Sequence, residues 1–182
     1  MLAMSEVAFR VGFVEGAMPD KWARIWRQRR RDPIELVPVS QAEQEDGIRS
    51  GALDMALVRL PIDRDGLHCI PLYDELAVAV AASDHYLAAA DEVVHADIAD
   101  DEVDWSAIPA KDAVAVVANG DSVAVMPMSL ARLHHRKDAI YRPVTDLPPT
   151  TVGLAWLVDN DDPRVQVFIG IVRGRTERST RT

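Results

Sequence analysis

The chain carries a single cysteine, Cys69, among 182 residues, which excludes an internal disulfide framework. It has no apolar run near the ~18 residues a membrane span needs. Its opening, MLAMSEVAFRVGF, lacks the charged-then-apolar layout and the cleavage site of a secretory signal. A cytoplasmic protein without a membrane partner is therefore expected. Positive charge is also scarce: 20 Lys and Arg stand against 29 Asp and Glu, a formal net charge of −9. Nonspecific nucleic-acid affinity comes from neutralising phosphates with Lys and Arg, so no direct nucleic-acid contact is expected. A glycine-rich phosphate loop and a dinucleotide fingerprint are both missing, and no cofactor is expected.

What is present is the composition of a folded globular protein, 48% hydrophobic and 27% charged. The length suits one good core or two small lobes. Charge is uneven: a basic stretch runs from Arg24 to Arg31, carboxylates crowd Asp91 to Asp104, and the tail RGRTERSTRT is basic again. Such runs read as solvated faces, with a basic tail contacting a partner as the alternative.

VAFRVGFV alternates and is rich in β-branched and aromatic residues, which predicts a strand ending near Glu15-Gly16. Trp22, Ile25 and Trp26 then recur at helical spacing, with Pro19 in the first turn and Arg27 to Arg31 at the negative end. IELVPVS is a second strand. Ser40 caps a short helix closing at Gly51, and LDMALVRLP is a buried third strand. The order β-α-β-α-β predicts a parallel sheet with right-handed crossovers. LHCIPLYDELAVAVAASDHYL is long enough to cross between two lobes. AAADEVVHADIADDEVDW is a helix candidate with an acidic loop, and KDAVAVVANG a helix with a left-handed stop at Asn119-Gly120. SVAVMP, AIYRPVTD and TTVGLAWLV read as strands, and MSLARLHHR as a helix. DPRVQVFIGIVRG reads as a closing helix capped by Asp161 or Asp162.

Catalytic motifs are weak. Gly120-Asp121-Ser122 resembles the turn of a serine hydrolase, but a nucleophile elbow needs strand before helix, and here the order is reversed. The GDS-type esterases place the motif near the N-terminus with a late histidine, whereas no histidine follows His135. His134 and His135 point about 100° apart on a helix and have no i, i+4 partner of ligand type, so no metal site is expected. Cys69 in an apolar strand reads as a small core residue. What remains is architectural: ligands of open parallel sheets settle at the carboxyl ends of the strands. Those ends are Glu15 to Met18, Val39 to Gln41 and Arg59 to Pro61. Arg59 either holds a carboxylate in a two-pronged contact or makes a structural pair with Asp63 or Asp65. The N-terminus of the Pro19 helix adds backbone donors for an anion.

FRVGFVEGAMPDKW, IELVPVSQAEQEDGIRSGALDMALVRLP, IPLYDELAVAVAASDHYLA, ANGDSVAVMPMSLARL and YRPVTDLPPTTVGLAWLVDN together resemble the effector-binding domain of LysR-type transcriptional regulators. The resemblance covers nearly the whole chain. It implies an α/β fold like type II periplasmic binding proteins, with two parallel-sheet lobes joined by two crossing strands and a cleft for a small effector. By position, lobe one spans residues 7–82 and 141–175 and a shortened lobe two spans 83–140. Residues 176–182 are left as a basic, disordered tail. Family effector contacts fall on Gly16, Ala17 and Met18, on Ser40 and Gln41, and on Arg59 and Leu60, with Met126 added as apolar wall. The first strand begins within the opening residues, so a stand-alone domain without the helix-turn-helix is expected. The resemblance also implies a dimer using the first helix and second strand, on Trp22, Trp26, Arg29 and Val37, although buried core is the expected use for at least one of the tryptophans.

The expected function is non-catalytic binding of a small anionic metabolite such as a carboxylate, linked to transcriptional regulation. One alternative is a ligand-free interaction module that dimerises with itself or with a full-length regulator, which an exposed apolar face on the Asp20 to Arg31 helix together with a collapsed cleft would favour. A distant one is a hydrolase using Ser122, which requires a histidine within its reach.

Overall fold

The computed structural model describes residues 7–174, and the tail expected over 176–182 lies outside the described residues. In chain order the elements are β1 (Phe9–Val14), α1 (Asp20–Arg29), β2 (Ile34–Val39), α2 (Asp46–Arg49), β3 (Met55–Arg59), β4 (Leu67–Glu75) and β5 (Ala77–Ala82). There follow α3 (Ala110–Ala118), β6 (Ala124–Pro127), α4 (Met128–Leu133), β7 (Ala139–Pro143), β8 (Thr150–Leu157) and α5 (Pro163–Val172). They divide into two compact units, Met1–Leu72 with Val152–Thr182, and Tyr73–Thr151.

The first unit is built on a five-stranded sheet in the order β2-β1-β3-β8-β4. β1 runs parallel to both β2 and β3, as the β-α-β-α-β pattern predicts, while β8 lies antiparallel to β3. Every residue of β3 is buried, which explains its nearly unbroken apolar run. Trp22 and Trp26 of α1 face this sheet. Trp26 is fully buried and its ring stacks on Phe9 at 4.8 Å and 5°, with Phe168 of α5 tilted against both. The indole N–H donates to the carbonyl of Asp32 at 2.8 Å, so its one polar atom is satisfied.

Pro163 occupies the first turn of α5 and Asp162 is the cap, its carboxylate accepting from the Arg164 amide at 2.9 Å. The Arg164 guanidinium also bonds that carboxylate and holds Asp162 below the usual carboxylate range. Asp162→Ala is expected to cost about 0.5–2 kcal/mol. Because the folded value is depressed, this contribution is complete above the ordinary aspartate value of about 4 and is lost as pH falls through the lower native value. Acid denaturation of parent and variant, followed by circular dichroism, should therefore converge below that range.

In the second unit a smaller, three-stranded sheet has the order β6-β5-β7 and is antiparallel throughout. This corrects the expectation of a parallel core in both lobes. It also moves the expected boundaries from 82/83 and 140/141 to 72/73 and 151/152, because β5 and β7 hydrogen-bond within this sheet. Helices α3 and α4 cover one face, burying Val114, Val117 and Leu130 on Val78 and Val80. The other face carries Leu87, Ile98 and Val123. No long helix forms in the acidic segment; short 3₁₀ turns at Tyr86–Ala89 and His95–Asp97 stand there instead. Gly120 is likewise not a left-handed stop. Asn119 ends α3, its side-chain amide donating to the Ala115 carbonyl at 2.8 Å. Among the described residues no helix is long and apolar enough to cross a membrane.

Candidate functional site

From β1 the chain passes through α1 to β2 on one side, then returns to β3 on the other side of β1. The direction of winding reverses between β1 and β3, so their carboxyl ends frame the switch point where such sheets take ligands. β1 and β3 are paired from Val11↔Met55 to Phe13↔Leu57, and their ladder ends there. Two residues further on, Arg59 closes β3 with only 2% of its surface exposed. One guanidinium nitrogen donates to the Glu15 carbonyl at 2.9 Å and the other to Gln41 Oε1 at 3.3 Å. A single buried cation thus links the ends of all three parallel strands.

The backbone of Arg59 is held by Gln44. The Arg59 amide donates to Gln44 Oε1 at 2.8 Å, and Gln44 Nε2 donates to the Arg59 carbonyl at 2.9 Å. Gln44 is itself 5% exposed. It was not among the expected site residues; its only sequence signal is its position four before buried Ile48, on the same side of the turn. Asp63 and Asp65, the carboxylates considered as partners for Arg59, lie in a loop gripped by Arg49, which donates to the carbonyls of both.

Around this centre the expected residues separate. Gly16 has φ +89°, a left-handed conformation suited to glycine, and the Ala17 amide turns back onto the Val14 carbonyl at 3.0 Å. Ala17 is buried, whereas Met18 is 75% exposed. Ser40 is exposed and bonds Glu43 at 3.2 Å. Leu60 packs beside the cluster of Ile48, Val58 and Leu67. Met126 sits in the core of the second unit with Val78 and Leu130, which makes it packing and not ligand wall. The α1 amides offer less than expected, since those of Trp22 and Ala23 both donate to the Pro19 carbonyl.

The expected apolar dimer face is also corrected. Trp22 and Trp26 belong to the first core, so of the four residues only Arg29, which is exposed, and Val37, half-buried on the edge strand β2, remain near the surface. Ser122 lies between α3 and β6, the order that excludes a nucleophile elbow. The histidine in that region, His85, meets the backbone carbonyl of Asp121 at 3.2 Å and not the serine. Cys69 is half-buried, and burial pushes its thiol up. Among the described residues no group of three or more His, Cys, Asp or Glu is arranged to hold a metal ion.

The model of the LysR substrate binding domain matches residues 8–103, more than half of the chain. The chain belongs to this family. A curated relative, the Hca operon transcriptional activator HcaR of Escherichia coli, is 36% identical over 92 residues, 48% of this chain; the chain spans about a third (31%) of that relative. Among solved structures, the OxyR regulatory domain C199D mutant of Pseudomonas aeruginosa superposes with a TM-score of 0.72 at 22% identity, covering 92% of this chain and 96% of that one. The BenM effector binding domain with its effector benzoate superposes at 0.77 and 17% identity, covering 92% and 90%. These likenesses show the fold: a LysR-type regulatory domain of the type II periplasmic-binding-protein kind, here with a reduced second unit. The LysR-type domain is an effector-binding module related to transcriptional regulators.

Proposed function

We propose that this LysR-type domain binds a small organic anion, a carboxylate, at the carboxyl ends of β1, β2 and β3, with Arg59 as anchor and without catalysis. The observation that carries the reading is a buried guanidinium at the switch point, one nitrogen of which donates at 3.3 Å to the exposed side chain of Gln41. A carboxylate replaces that neutral amide oxygen with a charge-assisted, two-pronged bond. The benzoate bound by BenM is of this chemical class. Binding here would serve transcriptional regulation, as the activator role of HcaR suggests.

A thermal-shift and calorimetric screen against aliphatic and aromatic carboxylates tests this, with Arg59→Ala and Gln41→Ala in parallel. A hydrogen bond to a charged group is worth about 1.5–3 kcal/mol, so Arg59→Ala should weaken binding by roughly 10- to 150-fold. Gln41→Ala, which removes only the contact the ligand displaces, should bind at least as tightly as the parent. Equal binding by Arg59→Ala, or no shift with any carboxylate, sinks the reading. An apolar outer face on α1 would favour the interaction-module alternative. Lys21, Arg24 and Arg27 occupy that face, so this feature does not favour it.

A further inference from the structure

We infer that Gln44 is a wedge that holds β1 and β3 apart at the switch point, and is thereby the positioning residue for Arg59. Strands paired in parallel up to Phe13↔Leu57 would, if the ladder continued, next bring Glu15 opposite Arg59. In that pairing the Arg59 amide would donate to the Val14 carbonyl and the Gly16 amide to the Arg59 carbonyl. Neither partner is used in this way. The Val14 carbonyl accepts from Ala17 in the β1 turn, and both polar groups of the Arg59 backbone are taken by the Gln44 side chain. A primary amide has one donor end and one acceptor end, which is what a strand edge presents, so Gln44 substitutes for β1 without bringing the β1 backbone along. The Arg59 guanidinium then reaches across the gap to the Glu15 carbonyl. The backbone of β3 on its other side faces β8, with Arg59 opposite Val152. Gln44 therefore decides whether the crevice between β1 and β3 exists.

This inference rests on the proposed role of Arg59 for its consequence for a ligand, though not for the wedge itself. Nuclear magnetic resonance on the full labelled chain tests it. In the parent, one Gln44 Nε2 proton should exchange slowly with solvent, and no cross-strand NOE should join the backbone protons of Glu15 and Arg59. In Gln44→Met, similar in length but without a polar end, the buried Arg59 backbone must find other partners. The Glu15–Arg59 NOE should then appear, and affinity for the carboxylate that the parent binds should fall at least tenfold. Gln44→Glu keeps the acceptor for the Arg59 amide; it should show no such NOE and recover most of the affinity. Rapid exchange of both Gln44 amide protons in the parent overturns the wedge, as does a Gln44→Met variant whose strands stay apart. Should Gln44→Met not fold, the parent exchange rate and Gln44→Glu still decide. Unchanged affinity in a closed Gln44→Met overturns the positioning role alone. Failure of every carboxylate to bind the parent would count against the proposed function, while the ligand-free measurements would still judge the wedge.

Discussion

Trp26→Ala is expected to destabilise the first unit by about 3–5 kcal/mol, the range for removing a fully buried large aromatic side chain. The indole is fully buried, stacks on Phe9, touches Phe168 and donates to the Asp32 carbonyl. Its loss forfeits the apolar burial and opens a cavity between α1, the sheet and α5. It also leaves a backbone acceptor without its indole donor. Domains of this size are held together by about 5–15 kcal/mol, so the variant should sit close to the threshold of folding. The result also separates core from interface. If Trp26 served a dimer, its removal would change the sedimentation coefficient and leave the urea midpoint nearly untouched. The core role demands the opposite. Because the chain forms two units, unfolding should be followed by resolved amide signals of each and not by one average probe. The second unit, whose core contains neither Trp26 nor its partners, should keep its stability within about 0.5 kcal/mol, as sites without shared partners do. Loss of under 1 kcal/mol in the first unit would contradict the packing described.

The tryptophans show where sequence reasoning had reach and where it stopped. Their helical spacing located α1, but an apolar stripe on a helix does not say whether it meets its own sheet or another chain. The family resemblance placed these residues at a dimer face while their bulk argued for the core for at least one of them, and the structure puts both in the core. The β-α-β-α-β pattern and the Asp162-Pro163 start of α5 were legible because local chemistry, caps, proline and alternation, carries them. Strand direction in the second unit was not. AVAVAA of β5 is buried almost throughout and has no polar side to mark a face, so nothing in it distinguishes parallel from antiparallel neighbours. In the acidic segment, Leu87, Val93 and Ile98 are buried at spacings of six and five, which no helical stripe sustains, and two 3₁₀ turns serve instead. The strand ends of the candidate site followed from topology. The Gln44–Arg59 bridge did not, because a side-chain amide bonding a backbone 15 residues away leaves no periodic trace.

Gly153→Ala should cost about 1–3 kcal/mol through overpacking. Gly153 lies in β8 opposite Val58. A Cβ there would stand 2.8 Å from Cys69 Sγ and 3.1 Å from the Ile70 carbonyl oxygen. The gain from restricting the unfolded chain, about 0.4–1 kcal/mol for such a change, offsets only part of this. The two clashes differ in how they can be relieved. Cys69 Sγ can swing aside by rotating χ1, whereas the carbonyl belongs to the backbone of β4 and moves only with the strand. Cys69→Ala should therefore recover part of the loss when combined with Gly153→Ala, with a coupling of about 0.5–1.5 kcal/mol in a double-mutant cycle. Full recovery would mean that the sulfur alone fills the space, and no coupling would mean that the carbonyl alone sets the cost. The thiol reports the same event directly. In the parent, burial pushes the Cys69 thiol up and slows its reaction with a disulfide reagent. If Gly153→Ala expels the sulfur toward solvent, that reaction should accelerate in the folded protein, under conditions where circular dichroism shows both units intact. An unchanged rate together with lost stability would place the strain in the β4 backbone.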